Sequence, residues 1–136
     1  MSTIDKYGNK EESVSKGGIA QGMPLVVLID GGTASASEIV AGAIRDYDLG
    51  TLVGTTSFGK GIVQVVLDKI GQEKDGTALK VTISKYYTPN GENIHKKGIG
   101  PDVTVEYPKE LKEKTYSRST DPQFEKALEI IQEKIK

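Results

Sequence analysis

Residues 24–54 read PLVVLIDGGTASASEIVAGAIRDYDLGTLVG. Pro24 opens a run that is apolar at every position from Leu25 to Ile29. Such a short run suits a strand buried on both faces, as in a parallel sheet. Asp30, Gly31 and Gly32 break it. From Ala36 onward, apolar residues recur at Ala36, Ile39, Val40, Ala43, Ile44 and Tyr47, one stripe of an amphipathic helix. Gly50 follows as a helix stop, and TLVGTT (51–56) is a second short strand. Strand, helix and strand in that order predict a βαβ unit and an α/β fold.

Outward from this unit, FGKGIVQVVLDK (58–69) and ALKVTISKYYTP (78–89) read as an antiparallel hairpin. The turn between them, GQEKDGT, is marked by Asp75-Gly76. Added to the βαβ unit, the hairpin predicts a mixed sheet. PNGENIHKKGIGPD (89–102) is a glycine-rich loop, and VTVEYP (103–108) is a short strand. Near the N-terminus, YGNKEE (7–12) carries a turn signal at Gly8-Asn9, the tip of a hairpin. After a charged linker, KELKEKTYSRST, the stretch 121–135 predicts a C-terminal amphipathic helix. Asp121 is its cap, Pro122 its first residue, and Phe124, Ala127, Leu128, Ile131 and Ile135 its apolar face. The expected organisation is a terminal hairpin or loop segment at 1–22, a core at 23–108, and a linker with helix at 109–136.

The totals exclude several classes. A chain of 136 residues has room for one domain. A formal net charge of −1 supplies no field for nucleic acid or an anionic membrane. With no cysteine, disulfides, thiol nucleophiles and zinc–thiolate sites are out. No stretch approaches the roughly 20 apolar residues of a membrane span. The polar start MSTIDKYGNKEE is not a signal peptide. No cofactor or metal site is expected.

The chemistry centres on two places. SASE (35–38) fits a capping box, with a serine cap and a glutamate three residues on. A serine at a strand-to-helix turn also suits a nucleophile, because the first helical turn offers unpaired N–H groups to an oxyanion. TASAS does not match the G-x-S-x-G elbow. The single histidine, His95, sits in a loop followed by two lysines, with no orienting carboxylate in view; a solvated role is expected. Lys60, in SFGKGIV, is the better base. Glycines on both sides of a lysine suit a backbone that passes close to something. Burial by Phe58, Ile62 and Val63 would favour the neutral amine. A surface lysine in a turn is the competing reading. A phosphate loop at GGTASAS is a much weaker alternative, because G-x-x-x-x-G-K-[ST] is absent.

TASASEIVAGA (33–43), GTTSFGKGIVQ (54–64) and LKVTISKYYTPNGENIHKKGIGPDV (79–103) together resemble the carboxyl-terminal processing, or tail-specific, proteases. These are serine peptidases with a Ser–Lys dyad and a crotonase/ClpP-like core. The resemblance covers roughly residues 18–108. It implies Ser35 as nucleophile, Lys60 as general base, Gln64 as the residue that orients the lysine, and the Ala36 N–H as one oxyanion donor. If 62–67 is a strand, residues 60, 62 and 64 share a face. Ser37 and Glu38 are then left to the helix start. The implied partners are polypeptide C-termini, read in the family by a PDZ domain; the implied location is extracytoplasmic. No PDZ-like segment or D-L-R-x-N-x-G-G-like stretch is found, so the chain reads as the C-terminal part of a protease core. The isolated chain is expected to be inactive. The alternative is a non-catalytic binding or scaffold module that keeps the fold.

Overall fold

A computed structural model describes residues 1–19, 21–68 and 76–136. In chain order the strands are β1 (Ser2–Asp5), β2 (Lys10–Glu12), β3 (Val26–Ile29), β4 (Thr51–Gly54), β5 (Ile62–Leu67), β6 (Leu79–Tyr87) and β7 (Val103–Thr104). Helix α1 (Ala36–Asp46) lies between β3 and β4; α2 (Lys109–Lys112) and α3 (Pro122–Lys134) close the chain.

The predicted βαβ unit forms. β3 and β4 are parallel, with Val26 opposite Thr51 and Ile29 opposite Gly54, and β7 extends the sheet in parallel on the other side of β4. The hairpin β5–β6 forms as well, with Val65 opposite Val81; its turn lies almost wholly outside the described residues. The single mixed sheet does not form. Parallel and antiparallel strands separate into a three-stranded sheet, β3-β4-β7, and a four-stranded sheet, β2-β1-β6-β5. The terminal hairpin causes this. β1 pairs with β6, so β6 has β5 on one edge and β1 on the other, and neither edge is free for the parallel strands. The β1–β2 tip is held by Asp5, whose carboxylate accepts the N–H groups of Tyr7 at 2.8 Å and Asn9 at 2.9 Å.

The core is Ile29, Ala41, Ile44, Leu52, Tyr86, Ile94 and Ile99, drawn from both sheets, α1 and the 89–102 loop. Helix α1 buries only part of the predicted stripe: Ile44 is in the core and Ile39 packs against it. Its buried residues are Glu38, Ala41, Gly42 and Ile44, whereas Val40 and Tyr47 are more than half exposed. The helix is turned so that its small residues meet the core: a side chain at Gly42 would press on Thr88 and Ile99 at 3.1 and 3.2 Å. That same rotation carries the Glu38 carboxylate inward.

The 109–136 stretch does not stand apart. Helix α3 packs on β3 and β4. Its start is fixed as the sequence predicts, with Asp121 accepting the N–H groups of Gln123 and Phe124 and Pro122 in the first turn. Gln123 then donates its side-chain amide to the Val105 carbonyl just past β7 at 2.8 Å.

Candidate active site

The chain leaves β3 through a turn organised by Asp30. Its carboxylate accepts the N–H groups of Gly32 and Thr33, and Thr33 Oγ1 accepts the N–H of Asp30. Two residues later Ser35 adopts φ 59° and ψ −118°, a conformation that L-residues rarely hold and that costs about 1–3 kcal/mol. Strain of this kind marks a sharp strand-to-helix turn that projects its side chain. So the elbow physics is present without the G-x-S-x-G pattern. The outline of the capping box is present at Ser35 and Glu38, but the Glu38 N–H goes to the Ser35 carbonyl at 3.0 Å and the Ser35 hydroxyl makes no well-formed cap bond. The Ala36 N–H, in the first helical turn, has no acceptor among the described residues.

The lysine loop is built on close backbone packing, as its glycines suggest. At Gly59, φ is +86° and a side chain would meet the Gly98 nitrogen at 2.8 Å; at Gly61 it would meet the His95 nitrogen at 2.6 Å. The 94–98 loop therefore seats the backbone on both sides of Lys60, with the Lys96 N–H on the Gly59 carbonyl at 2.8 Å. Lys60 is half-buried. Phe58 does not cover it, being 65 % exposed; its backbone N–H is held by the Thr33 carbonyl instead, and the ring turns out. Ile62 and Val63 are half-buried.

Glu38 joins the two places. It is fully buried. Its Oε2 accepts the N–H of Ser35 and the N–H of Lys60, each at 2.8 Å. Its Oε1 accepts the Gly59 N–H at 2.6 Å and the Ser57 hydroxyl at 2.5 Å. Ser57 Oγ in turn accepts the Ile99 N–H at 2.7 Å. One carboxylate oxygen thus keeps the backbone nitrogens of residues 35 and 60 within two hydrogen-bond lengths of each other. Burial alone would raise the Glu38 carboxyl, but the Ser57 hydroxyl and the N–H groups of Lys60, Gly59 and Ser35 outweigh it and hold the group below its ordinary value. Tyr86, buried on β6, donates its hydroxyl to the Ser35 carbonyl at 3.2 Å. Burial, with the Glu38 carboxylate beside it, pushes the phenol well above its ordinary value, so it stays a donor.

Two expectations do not hold as stated. Gln64 gives its side-chain amide to Thr82 Oγ1 at 3.2 Å, across the strand pair, and not to Lys60. The shared face of 60, 62 and 64 fails because the β5–β6 register shifts between Val63 and Gln64 and because Lys60 lies before the strand. His95 is not a solvated loop residue: it is half-buried, and its Nδ1 is buried without a hydrogen-bond partner. Ser35 and Lys60 are brought together through their backbones, with no hydrogen bond between Oγ and Nζ. Sequence reasoning misses the roles of Glu38, Ser57 and Tyr86. The glutamate is visible in SASE, but its partners at 57, 59 and 60 are set by tertiary contact.

Residues 1–105 match Peptidase family S41. A carboxyl-terminal-processing protease of Synechocystis is 41 % identical over 129 residues, which are 95 % of this chain and 29 % of that protein. A carboxy-terminal-processing protease of Bartonella bacilliformis is 45 % identical over 118 residues, 83 % of this chain and 26 % of that protein. Among solved structures, a photosystem II D1 C-terminal processing protease is similar with a TM-score of 0.66 at 40 % identity, over 77 % of this chain and 26 % of that one. The chain spans less than a third of the length of these relatives.

Proposed function

The chain belongs to peptidase family S41, and on that premise we propose that it is the dyad-bearing part of a serine endopeptidase that cleaves polypeptides near their C-termini. The observation that carries this reading is the joint placement of Ser35 and Lys60. Ser35 holds a strained turn next to the unpaired Ala36 N–H, and Lys60 hangs from the same carboxylate oxygen.

In the reaction we propose, neutral Lys60 takes the proton from Ser35 Oγ as that oxygen attacks the scissile carbonyl carbon. The Ala36 N–H receives the resulting oxyanion. As the C–N bond breaks, the Lys60 ammonium returns its proton to the leaving amine. Lys60 then takes a proton from water as that water attacks the acyl carbon, and passes it to Ser35 Oγ as the ester C–O bond breaks, restoring both residues. Gln64 reaches Lys60 in this scheme by giving up Thr82.

The parent protein is proposed to act outside the cytoplasm, on a crotonase/ClpP-like core, with a PDZ domain to read the tail. By the family resemblance, a second oxyanion donor comes from a separate segment, so the 136 residues alone turn over little. Losing one such donor costs about 100- to 1,000-fold. The test is cleavage of an unstructured peptide by the full-length protease. Ser35→Ala and Lys60→Ala are each expected to abolish it, with the fold retained. Full cleavage by either variant overturns the dyad. The absent Oγ–Nζ hydrogen bond favours a second reading, a non-catalytic module with this fold; inactivity of the unaltered full-length protein would select it.

A further inference from the structure

Glu38 touches both halves of the dyad and neither reacting atom. Four donors converge on its two oxygens: the N–H groups of Ser35, Gly59 and Lys60, and the Ser57 hydroxyl. Two carboxylate oxygens offer about four lone-pair sites, so the group is saturated and bears no proton to transfer. Among the described residues it is also the one charged side chain buried at 0 % exposure, at the position where the helix would otherwise present an apolar residue to the core. A carboxylate is kept there at the cost of desolvation; three of its four bonds hold backbone N–H groups of the serine turn and the lysine loop, and the fourth holds the Ser57 hydroxyl.

We propose that Glu38 is the positioning residue of the dyad: it sets the separation of the Ser35 and Lys60 backbones and so how well Lys60 Nζ meets Ser35 Oγ. The proposal rests on the dyad reading above. It explains why the capping-box glutamate is turned inward. It also explains why the lysine loop carries the glycines that let Gly59 and Lys60 bring their N–H groups to it.

Glutamine keeps the size of Glu38 but presents an NH₂ group to two of the four donors. In the full-length protease, Glu38→Gln is expected to lower kcat about 100-fold, the scale of a roughly 1 Å misplacement, with KM within about threefold. A loss of stability alone would also lower activity, so the deciding measurement is a double-mutant cycle. The readout is the rate at which a fluorophosphonate labels Ser35, per folded molecule. Glu38→Gln is expected to slow labelling strongly when Lys60 is present and less than about threefold in a Lys60→Ala background, because it acts through that lysine. Equal losses in both backgrounds, or kcat within about threefold of the unaltered enzyme, overturn the proposal. If Glu38→Gln does not fold, Ser57→Ala makes the same test in milder form. A several-fold loss that vanishes without Lys60 supports the proposal, and an equal loss with and without it overturns it. Active Ser35→Ala or Lys60→Ala enzyme would remove the dyad and this inference together; inactive dyad variants beside a fully active Glu38→Gln would remove this inference alone.

Discussion

Ser35 and Gly59 face each other across the Glu38 carboxylate, and both hold a positive φ, 59° at the serine and 86° at the glycine. They reach it differently. Gly59 needs no side chain, and its backbone lies against the 94–98 loop, so glycine is the residue that fits. Ser35 carries the hydroxyl that the proposed chemistry uses, and the turn keeps its strain. The difference teaches where this part of the fold tolerates strain: at the position whose side chain is proposed to act.

The contrast breaks most completely at the glycine. Gly59→Ala places a Cβ at 2.8 Å from the Gly98 nitrogen and 3.1 Å from the Ile94 carbonyl oxygen. Both are backbone atoms, which cannot rotate away. Adding the left-handed φ, we expect a loss of about 2–4 kcal/mol. A drop in the chemical-denaturation midpoint without a change in slope checks it. A midpoint unchanged by Gly59→Ala would mean the 94–98 loop does not press on the lysine loop.

The carboxylate between the two turns responds to acid. Its folded-state value lies below its ordinary one, because four donors outweigh burial. The stability it contributes is therefore present above the unfolded glutamate value of about 4.3. That stability is lost as pH falls from there through the folded value. One proton gives a slope of at most about 1.4 kcal/mol per pH unit in that window. Glu38→Gln is expected to remove this slope while lowering stability at neutral pH. Denaturation midpoints between pH 3 and 7 measure it; parallel curves for the two proteins would contradict the assignment.

Much of this architecture is legible in the order of the residues. The glycines around Lys60 and the Asp121-Pro122 start each encode a local rule that holds, and the apolar run at 25–29 gives a parallel strand as read, though Leu25 and Leu28 stay exposed and it is not buried on both faces. The features that are not legible depend on long-range geometry. Nothing local to α1 says that Gly42, the smallest residue on it, would face Thr88 and Ile99 and that Val40 would turn outward. Nothing in IVQVV announces the register shift after Val63 that sends Gln64 to Thr82. Two sheets replace one because β1, nearly eighty residues away in sequence, occupies the far edge of β6. Glu38 is visible as half of a capping box; its other three donors lie about twenty residues downstream and are delivered by the fold.

The smallest effect sharpens the comparison most. Ser35→Gly removes the side chain that makes φ 59° costly. Relief of about 1–3 kcal/mol is offset by the roughly 0.5–1 kcal/mol that glycine forfeits in the more flexible unfolded chain. A net stabilisation of about 1 kcal/mol is expected, a few degrees in thermal midpoint, in a protein that, on the proposed mechanism, can no longer form an acyl-enzyme. Ser35→Ala keeps the Cβ and the strain, so it is expected to lose activity without the gain in stability. The difference in midpoint between these two inactive variants isolates the backbone term from the hydroxyl. If Ser35→Gly is no more stable than Ser35→Ala, the turn is not strained, and the resemblance between Ser35 and a nucleophile elbow loses its physical basis.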